Sequence, residues 1–165
     1  MTRSYRAVIM LAAVFVLSIT LTADRIPRFE DFPAFGTYQG RNAPLILTKD
    51  DAHFRTRLRE AMKGPPNFAK HYILTAWGCG AGCLTSVVID ANTGRVYWTP
   101  HTICCWRLDM PDTFLPIEVR LDSRLIIFHG ERDEKDGDDG DHYYEFKPGK
   151  FVHLRSVKGS TYPIR

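Results

Sequence analysis

The residues best placed to do chemistry are four cysteines. Two lie in the run Trp77-Gly78-Cys79-Gly80-Ala81-Gly82-Cys83, and 21 residues further on Cys104-Cys105-Trp106 supplies the others. Thiols serve as staples, metal ligands or redox centres, and compartment and spacing discriminate among these. Two disulfides allow three connectivities. Pairing Cys79 with Cys83 obliges Cys104 and Cys105 to bridge as neighbours, with Cα atoms ~3.8 Å apart against the usual ~4.4–6.8 Å. The crossed pairings tie the glycine run to the Cys-Cys segment. Chain entropy does not choose between them, since a closed loop of some 20 residues contributes about 3 kcal/mol and one of five residues about 2. A Cys₄ zinc site wants other pair spacings, and a typical thiol–disulfide exchanger wants Cys-x-x-Cys in a βαβ setting. Structural disulfides at Cys79, Cys83, Cys104 and Cys105 are the expectation, with no cofactor. Trp77, Gly78, Gly80, Gly82, Trp106 and Arg107 surround them as the expected binding surface, the indoles shielding sulfur or meeting a ligand.

The second chemical candidate is acidic. Between Glu131 and Asp141 stand seven acids and two bases. Glu134, Asp136, Asp138 and Glu145 match positions 1, 3, 5 and 12 of a calcium loop, but Asp139 replaces the glycine required at position 6 and a strand pattern follows instead of a helix. A solvated acidic loop is the expectation, with calcium as the weaker alternative. His53, His71, His101, His129, His142 and His153 form no metal-binding pair at helical spacing. No nucleophile elbow, P-loop or dinucleotide fingerprint occurs, so no catalytic residue is predicted.

The elements that must carry these residues are mostly strands. One helix is predicted from Thr48 or Asp50, with acids in its first turn and Phe54, Leu58, Ala61 and Met62 at helical spacing, ended by Gly64-Pro65-Pro66. Its Arg55, Arg57, Arg59 and Lys63 read as a solvated face. Strands are predicted at 71–77, 84–90, 95–99, 117–121, 124–129, 142–147 and 150–155. Turns at Asp90–Gly94 and Lys147–Lys150 make hairpins of two pairs. The expected fold is α+β and mostly antiparallel, with two meander-like hairpin units and one N-terminal helix. Ahead of the single domain at 48–165 runs an arm at 24–47, in which three prolines block a helix and Phe29, Phe32, Phe35 and Tyr38 recur at every third residue. In an extended segment that spacing lines the rings along one side, to be laid over the domain.

Residues 1–23 read as a signal peptide: Arg3 and Arg6, an uncharged run from Ala7 to Leu21, and a small residue at Ala23. The run is shorter than the ~20 apolar residues of a spanning helix, so no stable membrane span is expected once the leader is removed. The 165 residues carry 22 basic and 19 acidic side chains, and the leader contributes two of the bases. A balance that close gives no steering toward nucleic acid. With 44% hydrophobic and 12% aromatic residues, disorder is excluded, and a domain of this size buries enough surface to fold without staples.

Asn67-Phe68-Ala69-Lys70-His71-Tyr72, the Trp77–Cys83 run and Val88-Ile89-Asp90 through Gly94-Arg95-Val96 resemble a group of small exported bacterial proteins. Its members carry Asn-Phe-Ala-Gly-His-Tyr, Trp-Gly-Cys-Gly-x-x-Cys and Asp-x-x-Thr-Gly-Lys-Val. The resemblance implies an exported β-rich domain and no particular activity; Lys70 departs from the group's glycine, and Cys104-Cys105 departs from a simple Cys79–Cys83 pairing. Asp90–Trp98 also resembles the turn of quinoprotein propeller blades, but a single copy describes a hairpin and no quinone. The functional expectation is a periplasmic or secreted, disulfide-stabilised binding module, of inhibitor or immunity type, for an unidentified protein or small ligand. The alternative is an envelope enzyme or thiol–disulfide redox factor using the cysteines.

Overall fold

A computed structural model describes residues 25–106 and 110–159; the predicted leader and Arg107 lie outside them. The described residues form eight strands: β1 (Tyr72–Gly80), β2 (Cys83–Asp90), β3 (Val96–Trp98), β4 (Ile103–Cys104), β5 (Ile117–Val119), β6 (Leu125–Arg132), β7 (Gly140–Lys147) and β8 (Lys150–Lys158). All pairings between them are antiparallel. With one short helix, α1 (Arg55–Ala61), this is the α+β, β-rich fold anticipated.

Two hairpin-linked units, β1-β2-β3 and β6-β7-β8, make up most of the sheet, and β4 joins them. On one side Cys83 pairs with Cys104 and Leu84 with Ile103; on the other Ile103 pairs with Arg132 and Cys104 with Glu131. A two-residue strand carries too little pattern to be predicted from sequence. Gly130, at φ +124°, lets β6 come up against it, because a Cβ there would collide with the Cys104 carbonyl.

The sheet bends about this seam so that one face of each unit packs on the other. Tyr72 and Tyr97 from the first unit meet Phe146 of the second at 4.8 and 5.9 Å between ring centroids. Val88, Ile103, Ile126, Phe128 and Tyr144 complete this buried cluster. Alternation puts the intervening residues on the outer faces. Outside the first unit, Leu58 of α1 covers Ile73, Trp77, Val87 and Ile89. Outside the second, the arm's Phe29 and Phe32 cover Leu125, Ile127 and Tyr143.

The helix and arm differ from expectation in instructive ways. Asp50–Phe54 is a 3-10 turn and only Arg55–Ala61 is α-helical. Asp51 holds that turn in place: its carboxylate accepts from Thr48 N at 2.7 Å, Thr48 Oγ1 at 2.8 Å and Trp98 Nε1 at 2.8 Å. Burial pushes the Asp51 pKa up, but these hydrogen bonds outweigh it and the net shift is downward. The arm is laid over the domain, yet its rings do not line one side. A 3-10 turn at Phe29–Asp31 breaks the three-residue period. Phe29 and Phe32 then face one cluster and Tyr38 another, while Phe35 is exposed with Arg124 4.7 Å from its ring centroid. Ser123 Oγ, donating toward the Phe29 and Phe32 carbonyls at 2.7 and 2.9 Å, anchors the first part of the arm.

Candidate functional site

The four cysteines gather at one end of the β2–β4 seam. Cys79 and Cys83 are bridged across the tip of the β1–β2 hairpin with Cα atoms 5.3 Å apart. Cys104 and Cys105 are bridged as neighbours at 3.8 Å. Cys83 and Cys104 are register partners, so the two bridges stand side by side on adjacent strands. Each has one buried member, Cys83 or Cys104, and one exposed member, Cys79 or Cys105. Cys105 sits at φ +61°, an expensive conformation for a residue with a side chain.

Glu131 completes the group. It is the register partner of Cys104 on the other side, half-buried, and its carboxylate and the sulfurs of Cys104 and Cys105 all lie within 4.8 Å of one another. Among the described residues this is the group whose spacing could hold a metal ion. While the sulfurs are bonded to each other neither offers the thiolate a metal would need.

The expected binding surface divides. Gly78, Gly80 and Gly82 are exposed at the hairpin tip with Cys79 and Ala81. Of the three glycines only Gly82 has a positive φ, +66°; Gly78 and Gly80 are strand residues around a bulge. Trp77 does not belong to this surface. It is 7% exposed and packs against Phe54 and Trp98 at 5.4 and 5.7 Å, because its place in the alternation points it under the helix. Trp106 is half-buried and 6.2 Å from the Phe114 ring.

The four calcium candidates are not brought together. Asp138 is engaged by the Arg132 guanidinium through Nε at 2.7 Å and Nη2 at 2.9 Å, and that hydrogen-bonded cation brings its pKa down to about 2. Glu145 is paired with Arg124 and Lys147, five residues along β7 from Gly140, about 17 Å at ~3.4 Å per strand residue. Glu134 and Asp136 are exposed in the connecting loop.

Two polar clusters were missed by sequence reasoning, since their members meet only through strand register. On the outer face of β6 and β7, His129 Nδ1 lies 2.6 Å from Asp141 Oδ1, and its Nε2 lies 3.6 Å from Glu118. Burial depresses the His129 pKa, but the hydrogen bond to Asp141 and the nearby Glu118 carboxylate outweigh this and raise it overall. On the inner face, Arg132 Nη1 donates to Tyr144 Oη at 2.8 Å, and the Tyr144 ring lies between His101 at 6.0 Å and His153 at 5.0 Å. His101 Nδ1 is 2.6 Å from Asp133. His153 Nε2 meets the Ser156 hydroxyl at 2.9 Å, while His129, Arg132 and His101 each face a carboxylate. A cleft of about 640 Å³ lies apart from all of them, between the arm and the β2–β3 turn, lined by Gln39, Arg41, Asn42, Ala43, Pro44 and Asn92.

No protein-family model, curated protein or solved structure matches the chain. Among the described residues no helix is long and apolar enough to cross a membrane.

Proposed function

We propose that this protein is an exported, disulfide-stabilised binding module of inhibitor or immunity type, which inserts the tip of its β1–β2 hairpin into a cleft on a protein partner. The observation that carries this reading is the contrast between tip and root. Gly78 to Gly82 are all exposed, while Trp77 and Cys83 on either side are buried. The bridge between Cys79 and Cys83 spans that projection. A tip fixed before encounter loses less conformational entropy on binding than a free loop, and affinity gains by that difference. Export rests on the basic residues and uncharged run of the first 23 residues, and the paired cysteines are compatible with it.

The test is capture of envelope proteins on the immobilised chain, with Ala81→Arg as the control. Ala81 is exposed, so the larger side chain leaves the melting temperature unchanged while obstructing insertion. The reading predicts a partner held by the parent and weakened at least tenfold by Ala81→Arg. Capture indifferent to the substitution, or none at all, refutes it.

A further inference from the structure

We propose that the two adjoining disulfides form a thiol–disulfide exchange site, in which a dithiol donor converts the Cys79–Cys83 and Cys104–Cys105 pairs into a single cross-strand Cys83–Cys104 bridge with Cys79 and Cys105 as thiols.

The geometry is that of the strands. Cys83 and Cys104 are direct partners of an antiparallel pair, and such partners have Cα atoms about 4.5–5.5 Å apart with side chains on one face. That separation falls inside the ~4.4–6.8 Å over which disulfides form without moving backbone. The same four sulfurs therefore have a second pairing available within the folded sheet. Access completes the argument, since the exposed members Cys79 and Cys105 are reachable from solvent and the buried members Cys83 and Cys104 are register partners on adjacent strands.

The steps balance. A donor thiolate attacks Cys105 Sγ; a donor–Cys105 bond forms, the Cys104–Cys105 bond breaks, and Cys104 leaves as a thiolate. The donor's second thiolate closes on the donor sulfur, releasing Cys105, which takes up a proton, and the donor departs as a disulfide. Cys104 then attacks Cys83 Sγ, forming Cys83–Cys104 and breaking Cys79–Cys83, and Cys79 is protonated from water. The donor loses two electrons, the protein gains two, and one of its two bridges is consumed. Entry at Cys79 leads to the same product, because Cys83 is then released and attacks Cys104. This exchange operates whether or not the hairpin tip binds a partner.

The experiment uses the full oxidised chain and one equivalent of dithiothreitol, followed by acid quench, alkylation and non-reducing peptide mapping. The expected product has Cys83 linked to Cys104, with alkyl label on Cys79 and Cys105 at least tenfold above that on Cys83 and Cys104. Label confined to one of the original pairs, either Cys79 with Cys83 or Cys104 with Cys105, overturns the proposal, as does resistance of both bridges in the folded protein. A second measurement uses Cys105→Ser, in which the neighbouring bridge cannot form. After oxidation a fraction of this variant maps to Cys83–Cys104 with Cys79 free; Cys79–Cys83 alone overturns the exchange. Near-UV circular dichroism of each sample establishes that the mapped species is folded.

Discussion

Removing all four sulfurs leaves this fold standing, at a cost that follows from the loop lengths. The perturbation is Cys79→Ser, Cys83→Ala, Cys104→Ala and Cys105→Ser together, with alanine at the buried positions to avoid an unpaired hydroxyl. The Cys79–Cys83 bridge has a sequence separation of 4 and the other a separation of 1, so the closed loops are very short. On the chain-entropy account the first is worth about 2 kcal/mol and the second about 1. Together they amount to about 3 kcal/mol, against a total stability of roughly 5–15 kcal/mol for a domain. The sheet, by contrast, is held by side chains such as Phe68, Val88, Ile103, Ile126 and Phe128, all with zero exposure. Each of these contributes about 1.5–3 kcal/mol. Urea denaturation followed by far-UV circular dichroism is therefore expected to show one cooperative transition, shifted to lower urea by about 3 kcal/mol, and a melting temperature lower by roughly 10 °C. A variant without cooperative unfolding at 25 °C, or a loss above about 6 kcal/mol, would refute the reasoning and make the bridges the foundation of the fold.

Lys70 has φ +71° and is exposed. Lys70→Gly is expected to raise stability by about 1 kcal/mol, as relief of the left-handed backbone exceeds the added freedom of the unfolded chain, and a fall in the urea midpoint would contradict this. His129 has a folded pKa raised above its ordinary 6.5, so its contribution is complete below pH 6.5 and is lost as pH rises through the folded value. The stability gap between the parent and His129→Gln is expected to narrow on going from pH 6 to pH 9, and a gap that widens would show the imidazole to be neutral against Asp141.

Short runs rich in aromatic and branched apolar residues exposed the strands that carry their own signal. Tyr72–Trp77, Leu125–His129 and the turn at Lys147–Lys150 are local signals, and the corresponding strands formed. What could not be read is whatever depends on partners distant in sequence. β4 has two residues, and its pairing with β2 and β6 comes from the bend of the sheet and from the room left at Gly130. The cysteines stood out as a cluster, but three connectivities remained open because the register of Cys83 against Cys104 is set by that same strand. In sequence Glu131 is one charge among seven in an acidic run, whereas the strand pairing separates it from the loop and puts it beside sulfur. Trp77 misled for the opposite reason: its neighbours in sequence are exposed, and only the phase of β1 against α1 shows that the indole points inward.

The position of the cysteines at the seam bears on why two such short bridges lie together. Staples that guard against unfolding gain by closing long loops, and a link from Cys83 to Cys104 would close one of some 20 residues. The pairs in the structure decline that gain and close the shortest loops available. They do so where the backbone is already fixed by pairing, since Cys83 and Cys104 are held by the β2–β4 ladder and Cys104 also by β6. Fixed backbone on both sides means that a change of sulfur partner moves side chains and the exposed flanks at Cys79 and Cys105 without unfolding the sheet. The hairpin tip hangs from one of those flanks. Exchange at the seam would thus free the tip from its staple while the core stays intact, and the proposed binding surface would become sensitive to the thiol state around it.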